Sequence, residues 1–160
     1  VEQPPAGFAP MAVSTNSLGS TDNLQAFSGY RNQRSELLAM GLEIFEYRPD
    51  PAVRTTVMQR YIALREQSPV FALHAKTMVI DAEKVYVGTF NLDPRSENLN
   101  TEVGVVIHDS SQARLVAESI ATDMLPTNSW RAAEDVDRYA PWSKRLRVAF
   151  WQWMPIKPLL

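Results

Sequence analysis

The stretch from His74 to Glu102, HAKTMVIDAEKVYVGTFNLDPRSENLNTE, constrains this chain more than any other. HAKTMVID reads as a strand, where residues i and i+2 share a face, so the His74 imidazole and the Lys76 ammonium project to one side. Met78, Val79 and Ile80 carry that strand into the core. Asp81-Ala82-Glu83 makes a turn, and KVYVGTF returns beside the first strand. Gly88 and Thr89 then fall where the returning strand ends, and Asn91 opens the next loop. The spacing collects an imidazole, an ammonium, a hydroxyl and a carboxamide near one end of a hairpin.

Such a set suits phosphoryl transfer. Imidazole can act as nucleophile or as general acid, and Lys76, Thr89 and Asn91 can donate to phosphate oxygens. The set contains no carboxylate cage of the kind magnesium requires, so a reaction without metal or other cofactor is expected. A lone histidine on such a strand is more often a satisfied core residue. Glu102 lies on the apolar strand TEVGVVI, where a carboxylate is costly to bury unpaired; the alternative is a strand-edge charge facing water.

The full pattern, His74-x-Lys76-x4-Asp81-x6-Gly88-Thr89-x-Asn91, resembles the HKD signature of the phospholipase D superfamily. The continuation NLDPRSENLNTE is similar to its bacterial cardiolipin synthase branch, and TNSLGSTDNLQAFSGYRNQRSELLAMGLEIFEYRP resembles the segment upstream of the second HKD motif in such proteins. The likeness covers about residues 11–125. Thr89 stands where serine is commoner and keeps the hydroxyl.

The resemblance implies a catalytic set of His74, Lys76, Asp81 and Glu102, and a phosphate-binding set of Lys76, Thr89 and Asn91, without metal. Asp81 holds the turn rather than touching substrate, and the Glu102 carboxylate hydrogen-bonds the imidazole and fixes its tautomer. It also implies a phosphatidyltransferase of the cardiolipin synthase kind that works through a phosphohistidine, with His74 as the acid/base partner of a second histidine. The implied partners are a phospholipid substrate, a membrane surface, and an N-terminal half with its own HKD motif or a second copy as a homodimer. The implied location is peripheral, on the cytoplasmic side of the bacterial inner membrane. Alone, the fragment is then expected to be inactive unless it dimerises. The alternatives are a phosphodiesterase or nuclease of the same family, or a non-catalytic interaction domain.

Composition narrows these choices. A net charge of -2 supplies no basic field to gather nucleic acid, which argues against a nuclease. The absence of cysteine excludes disulfides and thiolate metal sites. No uninterrupted apolar segment reaches bilayer-spanning length, and VEQPPAGFAP lacks the pattern of a signal peptide and reads as the cut end of a longer protein.

Elsewhere the chain reads as scaffold. Residues 1–10 are a Pro-rich linker or truncated loop, and MAVST (11–15) is a buried strand. A helix capped at Thr21 or Asp22 runs to about Met40 and ends at Gly41, and the strand LEIFEY follows. This strand–helix–strand order favours parallel members in the sheet. VRTTVMQRYIALREQ (53–67) is a surface helix, SSQARLVAESIATDML is a core-packed helix opening on cap-type serines, and His108 is a surface residue. The fold class is α/β, a mixed β-sheet flanked by helices, with 11–141 forming one phospholipase D-like half-domain that carries one HKD motif. The basic, Trp-rich segment 142–160 is either an interfacial membrane helix or a terminal helix closing the core.

Overall fold

The computed structural model describes residues 11–59, 61, 70–91, 96, 98–134 and 136–153. It is α/β, with helices flanking two three-stranded sheets. The chain divides into two compact units, the described residues up to Leu73 together with Asp123–Trp153, and His74–Thr122.

The first unit is built on the expected crossover. β1 (Ala12–Asn16) and β2 (Glu43–Tyr47) pair in parallel across α1 (Leu24–Ala39), and β6 (Ser129–Arg131) adds antiparallel to β2. The α1 cap is Asn23, whose Oδ1 accepts from Ala26 N at 3.1 Å, rather than Thr21 or Asp22. Thr21 instead accepts from Asn23 N at 3.2 Å and shapes the turn before the cap. The far end closes as the sequence suggests. Gly41 adopts φ 91, and Leu42 N donates to Leu37 O at 3.2 Å, a helix-terminating pattern that favours glycine. α2 covers Arg54–Met58; the rest of the helix expected over 53–67, apart from residues 59 and 61, lies outside the described residues.

Leu18, Leu24, Phe27, Ala140 and Val148 form the core of this unit, with Tyr30 and Trp151 packed against it. Leu24, Phe27, Ser28 and Arg34 are the buried positions of α1, a spacing that puts them on one face. The C-terminal helix, Trp142–Trp153, thus closes the core through Val148. Residues 154–160 of the expected tail, like the linker 1–10, lie outside the described residues.

A polar network, invisible in the sequence, lies beside this core. Arg34 Nη2 donates to Asp137 Oδ1 at 2.9 Å, and its Nε stands 3.0 Å from Glu46 Oε1. Arg31 Nε donates to Asp137 Oδ2 at 2.7 Å, and Tyr30 OH donates to Glu46 Oε1 at 2.8 Å. Glu46 is fully buried and its Oε2 finds no partner. Burial pushes its carboxyl up to about 7, and the nearby Arg34 only partly offsets that.

In the second unit β3 (Thr77–Ile80), β4 (Lys84–Gly88) and β5 (Gly104–His108) form an antiparallel meander, followed by α3 (Ser110–Asp123). Asp109, not a serine, caps α3, its Oδ1 accepting from Ser111 N at 2.7 Å and Gln112 N at 3.1 Å. Val85 and Ala113 are buried, whereas β5 is exposed over its whole length despite its apolar sequence. His108, on the same strand, is exposed as expected.

Candidate active site

β3 and β4 meet in register Thr77↔Val87 to Ile80↔Lys84, and Gly88 N donates to Lys76 O at 3.1 Å, which extends the ladder one residue beyond β3. Lys76 is therefore held in extended pairing, and His74 lies two residues before it on the same side. Lys76 Nζ stands 3.0 Å from His74 Nε2. An ammonium can only donate, so this contact gives Nε2 the lone pair and leaves the ring proton on Nδ1.

At the other edge, Thr89 N donates to Val103 O at 2.9 Å, and Val103 N donates to the Thr89 hydroxyl at 3.0 Å. That hydroxyl in turn donates a hydrogen bond to Glu102 Oε2 at 2.5 Å. Glu102 Oε1 accepts from Asn100 Nδ2 at 3.1 Å. The Thr89 hydroxyl, helped by Asn100, Ser96 and the charge of Lys76, holds the Glu102 carboxyl below the ordinary range, against a partial desolvation.

These groups line one open cleft of about 780 Å³, bordered by His74, Lys76, Gly88, Thr89, Asn91 and the segment Leu99–Val103. Gly88 faces Gly104 across β4 and β5. A Cβ on Gly104 would run into the Tyr86 ring, and one on Gly88 would run into the Tyr86 hydroxyl and stand 2.7 Å from Val103 O. The glycine pair is thus the bed on which the Tyr86 ring lies. Neither Tyr86 nor Gly104 was singled out by the sequence, although Tyr86-x-Gly88 and Glu102-x-Gly104 place each pair on one face of a strand.

The cleft collects five of the six expected side chains, but two contacts differ from expectation. Glu102 forms no hydrogen bond with His74; its oxygens are taken by Thr89 and Asn100. The Thr89 hydroxyl donates its hydrogen bond to Glu102 and is not a free phosphate donor. Asp81 sits in the β3–β4 turn at φ 53, at the opposite end of the hairpin from His74, and does not border the cleft. Its side chain tolerates that left-handed backbone better than most. Asn91 borders the cleft, and its N–H donates to the buried Ser96 Oγ at 3.3 Å. Residues 92–95 and 97 of the continuation NLDPRSENLNTE lie outside the described residues. Among the described residues, no three His, Cys, Asp or Glu side chains gather as a metal site would need.

Sequence reasoning also missed Asn16. Its carboxamide clamps the backbone of Leu73, the residue before His74, accepting from Leu73 N at 2.7 Å and donating to Leu73 O at 2.8 Å.

The family model described as the cardiolipin synthase phospholipase D-like domain matches residues 20–124, a span that contains the whole cleft. The chain belongs to this family. Among curated relatives, cardiolipin synthase C of Escherichia coli K12 is 34% identical over 152 residues, which is 89% of this chain and 32% of that protein. An uncharacterized Helicobacter pylori protein is 36% identical over 108 residues, covering 68% of this chain and 20% of its own length. The major cardiolipin synthase ClsA of Bacillus subtilis 168 is 38% identical over 66 residues, 41% of this chain and 14% of that protein. No solved structure matches. This member of the family therefore spans about a third of its E. coli relative.

Proposed function

We propose that this chain supplies one catalytic half of a cardiolipin synthase-like phosphatidyltransferase. The observation that carries the reading is the His74 Nε2–Lys76 Nζ pair, set in a cleft with the ionised Glu102 inside the family-matched span. An entering phosphodiester draws the Lys76 ammonium onto its oxygens, with Asn91 as a second donor, and this frees Nε2 to handle a proton.

The reaction runs in two displacements. A histidine from the rest of the parent attacks phosphorus, and the bond from phosphorus to the leaving alcohol oxygen breaks. His74, once Nε2 has been released by Lys76 and has taken up a proton from solvent, gives that proton to the oxygen. The acceptor alcohol then gives its proton to His74 and attacks phosphorus, and the phosphorus–nitrogen bond breaks. The second imidazole comes from the remaining two-thirds of a parent of the relatives' length. The exposed apolar β5 supports such a neighbour, because a strand of this composition is ordinarily covered.

The test is to incubate the full-length parent with phosphatidylglycerol, quench, and look for acid-labile phosphohistidine. A His74→Asn parent should accumulate or lose the adduct without releasing cardiolipin. Cardiolipin formation at the parent rate by that variant would overturn the assignment of His74.

A further inference from the structure

We propose that the outward face of the C-terminal helix, Trp142–Trp153 (α4), is a docking surface for an anionic phospholipid bilayer. The inward face fixes the rotation of the helix. Val148 is fully buried in the core, Lys144 Nζ donates to Gly19 O at 2.8 Å and Thr21 O at 2.7 Å, and Gln152 is bonded to Arg31 and Asn32. With that side committed, Trp142 is left 73% exposed, Leu146 61%, Phe150 53% and Trp153 83%. At 3.6 residues per turn these four fall within about 80° of the circumference. Large apolar side chains in a continuous stripe are what a helix normally turns inward, and a stripe left outward marks a partner.

The flanking charge says which partner. Arg145 and Arg147 lie about 100° to either side of the centre of the stripe. Both are exposed, and neither enters an ion pair among the described residues. WSKRLRVAFWQW holds no acidic residue, although the chain as a whole carries a net charge of -2. Positive charge is thus concentrated on the two margins of an apolar stripe. The matching surface is apolar at depth and anionic at its rim, which describes the headgroup boundary of a bilayer. Indole rings, apolar with a single N–H donor, suit that depth. An apolar protein groove would accept the stripe but would leave the paired arginines unexplained. The inference deepens the proposed function and rests on it only for the choice of phosphatidylglycerol as the anionic lipid.

The test is flotation of the full chain with vesicles of phosphatidylcholine alone or mixed with equal phosphatidylglycerol, at low and high salt. Wild type should float with the anionic vesicles. Trp142→Gln, Leu146→Gln and Trp153→Gln combined should weaken this by about tenfold or more. Arg145→Gln with Arg147→Gln should cost about fivefold per arginine and remove the salt dependence. Circular dichroism confirms the fold, and if the apolar variant loses it, the arginine pair alone decides. Absence of wild-type flotation, or equal flotation by wild type and the arginine variant, overturns the proposal. So does sedimentation showing that the apolar substitutions dissociate a dimer, which would make the stripe an interface between copies. The readout needs no turnover, so its failure is separate from failure of the catalytic reading, which the parent's activity on dispersed short-chain phosphatidylglycerol tests.

Discussion

The Thr89 hydroxyl stands 2.5 Å from Glu102 Oε2 and simultaneously accepts from Val103 N at 3.0 Å. One hydroxyl therefore ties the end of β4 to the segment entering β5 and holds the carboxylate in place. Thr89→Ser keeps both bonds, and the parent should retain most of its activity. Thr89→Val leaves Glu102 without its main donor. It should lower kcat by about 10- to 100-fold, as loss of an orienting hydrogen bond does, with KM little changed. Steady-state kinetics of the two variants check this; equal kcat values would remove Thr89 from the positioning of the site.

His74 is exposed, so its replacement should spare the fold. His74→Asn should reduce turnover of the parent by about 10²–10⁴-fold, the usual contribution of a general acid–base group. Circular dichroism and a lipid-product assay, run on the same sample, separate chemistry from stability.

Glu46 gives a pH prediction. Its folded carboxyl, raised to about 7 from 4.5, binds a proton that the unfolded chain releases. Between those values the native state holds more protons, so this group's contribution to stability is greatest below about pH 4.5 and declines as pH rises towards 7. Glu46→Gln removes that loss while Arg34 keeps Asp137. The variant should gain on wild type by an order of 1–3 kcal/mol from pH 5 to pH 7.5. Urea unfolding at both pH values measures the difference, and an unchanged gap would show that the carboxylate is adequately solvated or paired.

The two glycines under Tyr86 should respond differently to alanine. At Gly104 the close atoms are all in the Tyr86 ring, whereas at Gly88 the carbonyl of Val103 is close as well. Gly104→Ala should destabilise the chain and be largely rescued by Tyr86→Ala; Gly88→Ala should be rescued less, because the Val103 carbonyl remains in the way. A double-mutant cycle on unfolding free energies tests it, and equal rescue at both positions would contradict the arrangement.

The cleft holds an ammonium, a carboxamide and an imidazole, which on the proposed reading meet the phosphate, with Glu102 engaged by Thr89 and Asn100. Parent activity on phosphatidylglycerol should therefore be unchanged by EDTA. Loss of activity restored by magnesium would show that a cation joins the site.

The alternation of a strand and the turn at Asp81-Ala82-Glu83 were enough to put His74, Lys76 and Thr89 at one end of a hairpin, because side-chain direction in a strand is a local property. The crossover helix ending at Gly41 and the parallel pairing of β1 with β2 were legible for the same reason. Partner choice was not. Glu102 has several acceptors' worth of lone pairs, and only the register Gly88↔Gly104 brings Thr89, rather than His74, within reach of it. Nothing in the spacing of Arg34, Glu46 and Asp137 marks them as neighbours, since burial and long-range contact are properties of the packed chain. The C-terminal helix shows the division most directly. Its sequence is amphipathic either way, and only packing on Val148 decided which side closes the core and which side, with Trp142 and Trp153, is left outward.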